Sequence, residues 1–150
     1  MKRLKLFEEF LREGTVKRVG INKERAKSLI LEAERKMRSL QEHLEKIGVK
    51  DENANDYVEY CYDILIFLLR ARMLSDGYYA SGLGAHEAEV SYLKILGFPE
   101  NEVGFADEIR YFRNGILYYG TLLDREYAEK VIAFTKKNYS KLRKIVDSIL

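Results

Sequence analysis

Cysteine is nearly absent. Cys61 is the only one in 150 residues, so no intrachain disulfide can form and a reducing, cytoplasmic setting is expected. It lies in an apolar helical pattern and reads as a buried structural thiol. Histidine occurs twice, at His43 and His86, far apart and far from Cys61, which excludes a zinc site of ordinary spacing. His86-Glu87 opens like a metalloprotease helix, but position 90 is Val90 where the second histidine is required. No metal or other cofactor is expected. A Gly-x-x-x-x-Gly-Lys-Ser/Thr loop is also missing, so the three glycines within Asp76–Gly84 read as a turn. The longest apolar run, Ile64 to Leu69, is far shorter than the ~20 residues that cross a bilayer. Lys2, Arg3 and Lys5 are followed by Glu8, Glu9, Arg12 and Glu13, not by an apolar stretch, so neither a secretory signal nor a membrane partner is expected. Net charge is only +2 with 33% charged residues, which argues against binding driven by bulk charge and leaves room for a local positive groove.

Proline is scarce too: Pro99 stands alone, and β-branched runs of period two are lacking, so helix is expected nearly throughout. At 47% hydrophobic the chain supports one core without staples, hence one domain over residues 1–150. A short amphipathic helix over 2–13 would turn Leu4, Phe7 and Leu11 inward and stop at Gly14. Asn22 caps a long helix over 23–47, with Ala26, Leu29, Ala33, Met37, Leu40, Leu44 and Ile47 on one face. The helix from Asp56 to about Ser75 is apolar on most sides and reads as central, with Arg70 and Arg72 either capping its end or edging a cleft. A helix from Ala85 to Leu96 follows. Asp124 caps the last, over 125–149, which packs through Ala128, Val131, Phe134, Leu142, Ile145 and Ile149. Lys136, Lys137, Lys141, Arg143 and Lys144 near its end read as a solvated face, with phosphate contact as the sharper alternative. The sum is an all-α, up-and-down bundle of about five helices, with 22–149 as the core and 1–21 as an N-terminal extension.

Residues 104–123 carry the polar side chains that look placed. Wound at 3.6 residues per turn, Phe105, Ile109, Phe112, Ile116 and Tyr119 form an apolar stripe, and Asp107, Arg110, Asn114 and Tyr118 line another. Arg113 falls between them, placed to bury its stem while its guanidinium reaches outward. The bland reading stands beside the functional one: Asp107 and Arg110 are three apart and suited to pair, Asn114 can cap a backbone group, and Arg113 can bridge to Glu87 or Glu89.

Three stretches resemble the HEPN superfamily, the higher eukaryote and prokaryote nucleotide-binding helical domains. They are the apolar helix running into Asp76-Gly77-Tyr78-Tyr79, the His86-Glu87-Ala88-Glu89-Val90-Ser91-Tyr92-Leu93 segment, similar to archaeal members, and Arg113-Asn114-Gly115-Ile116-Leu117-Tyr118-Tyr119-Gly120. The resemblance covers about residues 22–149. Nuclease members carry an arginine, often followed by Asn or Asp, and a histidine after four to six intervening residues. Arg113 and Asn114 match the first half, whereas Tyr118 and Tyr119 stand at four and five residues and Gly120 where toxin members carry a tyrosine that a nucleotidyltransferase modifies. Phenol, with a pKa of about 10, is a poor base at pH 7 compared with imidazole at about 6.5.

The resemblance therefore implies a dimeric module that binds nucleotide or RNA phosphate through Arg110, Arg113, Asn114 and Tyr118, with nuclease activity weak or lost and a nucleotidyltransferase subunit as a candidate partner. The alternative is a metal-independent ribonuclease of toxin or defence type, in which Arg113 stabilises the transition state and Tyr118 or His86 replaces the missing histidine.

Overall fold

The computed structural model describes residues 3–148, so Lys2 and Ile149 lie outside the described residues. Six helices and one small ribbon follow in the order α1 (Phe7–Glu13), β1 (Val16–Arg18), α2 (Lys23–Lys46), α3 (Ala54–Ser75), β2 (Tyr78–Ala80), α4 (Ala85–Ile95), α5 (Glu100–Tyr119) and α6 (Arg125–Asp147). The all-α expectation holds.

The apolar sequence of α3 has its reason in its position. It packs against α2, α4, α5, α6 and β2, and residues on every side of it, from Val58 through Ile64, Leu65, Ile66 and Leu69 to Met73, are buried. Cys61 is fully buried on this helix, and burial pushes its thiol up to about 12. Asn22 caps α2 by accepting from the Arg25 amide at 3.0 Å, and Asp124 caps α6 through the Tyr127 amide at 2.8 Å.

The first helix begins later than its periodicity implies. No side chain caps it at Leu6, and the extended backbone before Phe7 lets Leu4 pack on the core and Lys5 meet Glu13 at 3.0 Å. Phe7, Phe10 and Val16 then join Met73, Ala88 and Tyr92 in a second small core at this end of the molecule. The link over 15–20 and the turn over 76–84 pair with each other as an antiparallel ribbon, Val16 with Ala80, Lys17 with Tyr79 and Arg18 with Tyr78. Gly77 makes the approach possible: its φ is +85°, and a Cβ there would stand 3.1 Å from the Val19 carbonyl oxygen.

The end of α5 is also fixed by a close approach. Gly120 adopts φ 64°, Thr121 folds back to donate to the Gly115 carbonyl at 3.2 Å, and a Cβ on Gly115 would meet Thr121 Oγ1 at 2.9 Å. Asn55 at the start of α3 clamps this loop, donating to the Thr121 carbonyl and accepting from the Leu123 amide, both at 2.8 Å. The helix that carries Arg113 is thus anchored to α3 just beyond it.

Candidate functional site

The polar stripe of α5 is graded by depth along the helix. Asp107 is buried, and Arg110 keeps only 11% of its side chain exposed, donating through Nε to Asp107 at 2.6 Å with Nη1 3.9 Å from Glu87. The pairing that the three-residue spacing allowed is the one that forms. Arg113 and Asn114, one turn on, are half-buried. Tyr118 is 75% exposed and Tyr119 87%, so Tyr119 leaves the apolar stripe and stands in solvent at the last turn of the helix.

Arg113 lies over the ring of Tyr62 on α3, its guanidinium carbon 5.3 Å from the ring centroid. Its nearest carboxylate is Asp63, with Nη2 to Oδ1 at 3.7 Å, beyond hydrogen-bond reach. Glu87 and Glu89 instead engage Arg110 and Arg70. Arg113 Nε is buried with no protein hydrogen-bond partner among the described residues, and the buried Tyr62 hydroxyl shares that condition. Burial, then the field of Glu89, pushes the Tyr62 phenol up and keeps it protonated, a donor without an acceptor. No side-chain hydrogen bond of Asn114 is formed within the described residues either. Glu59, one turn before Asp63, is pushed above the ordinary carboxylate range by burial, against the opposing pull of Arg113.

On the other side of Tyr62 stand α4 and the end of α3. Arg70 holds both carboxylate oxygens of Glu89, with Nη2 to Oε1 at 3.1 Å, so it edges this cleft and does not cap its helix; Arg72 does the capping-type work, bonding Asp76 at 3.0 Å and the Ile145 carbonyl at 2.9 Å. The His86 ring packs edge-on to Tyr62 at 6.3 Å between centroids, with Nδ1 3.1 Å from Glu89 Oε1. Burial raises the Glu89 carboxyl, but the His86 hydrogen bond and Arg70 outweigh it and hold the group below its usual range. An ionised Glu89 can only accept, so His86 donates from Nδ1 and its Nε2 is left as the basic position. His86 is remote from Arg113 in sequence, yet both pack on one tyrosine.

Sequence reasoning found Arg110, Arg113, Asn114 and His86 but did not single out Tyr62, which sits in an apolar run where a tyrosine looks like core. Its one signal was helical register, since Tyr62, Asp63 and Glu59 share the turns that face α5. Among the described residues no group of three or more His, Cys, Asp or Glu side chains is placed to hold a metal ion, and no helix is long and apolar enough to cross a membrane.

Fold and site together define a mostly helical bundle with a cluster of partly buried arginines, Arg70, Arg110 and Arg113, around its central helix. Comparison with protein-family models, with curated proteins and with solved structures finds no match for the chain.

Proposed function

We propose that the chain is a HEPN-like helical module that binds the phosphate of a nucleotide or RNA through Arg113 and Asn114. The observation that carries this reading is the unspent hydrogen-bonding capacity of Arg113: a half-buried guanidinium held over Tyr62 that makes no side-chain hydrogen bond among the described residues, with Asp63 3.7 Å from Nη2. A guanidinium fork held in place by stacking matches phosphate oxygens without the ordering cost of a free side chain. Arg110, already bonded to Asp107, adds positive field more than free donors. Tyr118, largely in solvent, can serve only a ligand that reaches the rim.

The module works as a dimer in this reading. Tyr111, Leu117, Tyr118, Tyr119 and Leu122 are between 52% and 88% exposed on the last turns of α5 and the loop beyond. Of these, Tyr111 and Tyr118, seven residues apart on α5, share one face and offer a second copy an apolar surface to pack on. A nucleotidyltransferase subunit is the other candidate for this face.

A second reading, a metal-independent ribonuclease, is favoured by the placement of His86. Its Nε2 would take the proton of a ribose 2′-hydroxyl as that oxygen attacks phosphorus; the P–O5′ bond breaks and the 5′-oxygen takes a proton from water, giving a 2′,3′-cyclic phosphate and a 5′-hydroxyl, while Arg113 holds the pentavalent phosphate and the imidazolium returns its proton to solvent.

Both readings meet one experiment: structured RNA incubated with the protein in EDTA, beside Arg113→Ala, His86→Ala and Tyr118→Phe. Arg113-dependent binding without cleavage supports the binding module. Cleavage lost in both Arg113→Ala and His86→Ala supports the nuclease, and binding unchanged by Arg113→Ala overturns both.

A further inference from the structure

The segment from Gly14 to Lys27 carries Lys17, Arg18, Lys23, Arg25 and Lys27 against one carboxylate, Glu24, a local excess of four charges on a chain whose net charge is +2. All five cations are exposed, and among the described residues none is ion-paired. The α6 cluster differs. There Arg143 is bonded to Glu34 and Asp147, Lys137 lies 3.8 Å from Glu102, and Lys141 sits 3.9 Å over the Phe98 ring.

Two of the cations, Arg18 and Arg25, are also held in place. Val16 is buried, the Val19 amide donates to the Gly77 carbonyl at 2.8 Å, and the ribbon fixes Lys17 and Arg18 opposite Tyr79 and Tyr78. Arg18 lies 5.4 Å over the Tyr78 ring and donates to its hydroxyl at 3.2 Å, while Arg25 lies 5.5 Å over Tyr79. Cations ordered before binding lose less freedom on engaging an anion.

The surface continues toward the cleft. β2 packs on α3 and α4, the two helices that carry Arg70 and Glu89. Arg70 in turn meets Glu89, beside His86, Tyr62 and Arg113. On α3 the step from Tyr62 to Arg70 is about 12 Å at 1.5 Å per residue. Arg18 with Tyr78 and Lys17 with Tyr79 take the two faces of the ribbon, and the Tyr79 face, with Arg25 over it, is the one packed on the main core.

We propose that the ribbon and the first turn of α2 form a second contact surface, which takes the phosphate backbone of a single-stranded RNA running on from the cleft. The inference rests on the proposed phosphate site for the direction of the strand. Phosphates at nucleotide spacing suit a row of exposed cations without ion-pair partners. Among the described residues Val19, Ile21 and, just beyond β2, Leu83 supply the exposed aliphatic area here, three scattered side chains and no amphipathic helix for a membrane to hold.

The test is fluorescence anisotropy with a labelled twelve-nucleotide oligouridylate and, separately, a labelled mononucleotide, each over a range of salt. Lys17→Gln/Lys23→Gln/Lys27→Gln alters side chains with no packing role and leaves both stacked arginines in place. The expected result is a roughly tenfold or greater loss of RNA affinity at low salt, a salt slope lower by about 2 for three lost contacts, and unchanged mononucleotide binding. RNA binding with the slope of the unaltered protein overturns the inference, as does a loss seen only on phosphatidylserine vesicles, or no RNA binding at all. If Arg113→Ala leaves mononucleotide binding intact while the triple variant loses RNA, the cleft reading fails and the ribbon surface stands.

Discussion

The cleft on α3 and the ribbon end of the bundle are both basic, and they treat their charges in opposite ways. Arg70, Arg110 and Arg113 are partly buried, and each faces a carboxylate, at distances that lengthen to 3.7 Å at Arg113. Burial demands that neutralisation, so the capacity of the cleft to bind lies in donors left over after pairing. The cations of Lys17 to Lys27 are in water and unpaired, so their attraction is untied but screened by salt. One region supplies geometry and the other supplies reach. Counting basic residues does not separate them, as α6 demonstrates with five cations near its end and three of them engaged internally.

The largest expected effect comes from breaking the neutralisation in the cleft. Glu89→Gln leaves Arg70 short of its carboxylate in a largely buried position and should cost about 2–3 kcal/mol of stability at pH 7, read by denaturant titration. The Glu89 carboxyl is held below its ordinary value, so its contribution is complete above about pH 4.3, the unfolded value, and is lost as pH falls through the lower folded value. The difference between the two proteins should therefore shrink below about pH 4. A difference that persists there would mean that Glu89 acts by packing and not by charge.

At the ribbon the same kind of change should leave the fold alone. Lys17→Gln/Lys23→Gln/Lys27→Gln should unfold within about 0.5 kcal/mol of the unaltered protein while losing roughly tenfold in RNA affinity at low salt. Tyr62→Phe sharpens the comparison in another way. The buried hydroxyl has no protein partner, so its removal should stabilise the fold by up to about 1 kcal/mol and, if a phosphate oxygen is its acceptor, weaken nucleotide binding. A variant that is more stable and binds as before would remove Tyr62 from the site. The smallest effect is expected on α6, where Lys136→Gln/Lys144→Gln should change neither RNA affinity nor its salt slope beyond about twofold.

Much of the fold was legible because 3.6-residue periodicity, capping residues and glycine stops agree along most of the chain. The ribbon was not, since three-residue strands are too short to display alternation and their pairing joins residues some sixty positions apart. The stripe of α5 was legible as a face but not as a gradient, because register does not say how closely each turn is covered by its neighbours; Tyr119 and Ile109 share a stripe in sequence and differ from 87% to 0% in exposure. Arg113 and Asn114 came from the motif, whereas Tyr62 as their platform and His86 as their neighbour depend on how α4 and α5 lie on α3.

The account turns on Arg113, and isothermal titration of a mononucleotide at low salt in EDTA tests it most directly. Arg113→Ala should weaken binding by at least about tenfold, and Arg113→Lys, which keeps the charge but loses the fork, should recover only part of it. Equal affinity in all three proteins would contradict the assignment of the cleft as a phosphate site.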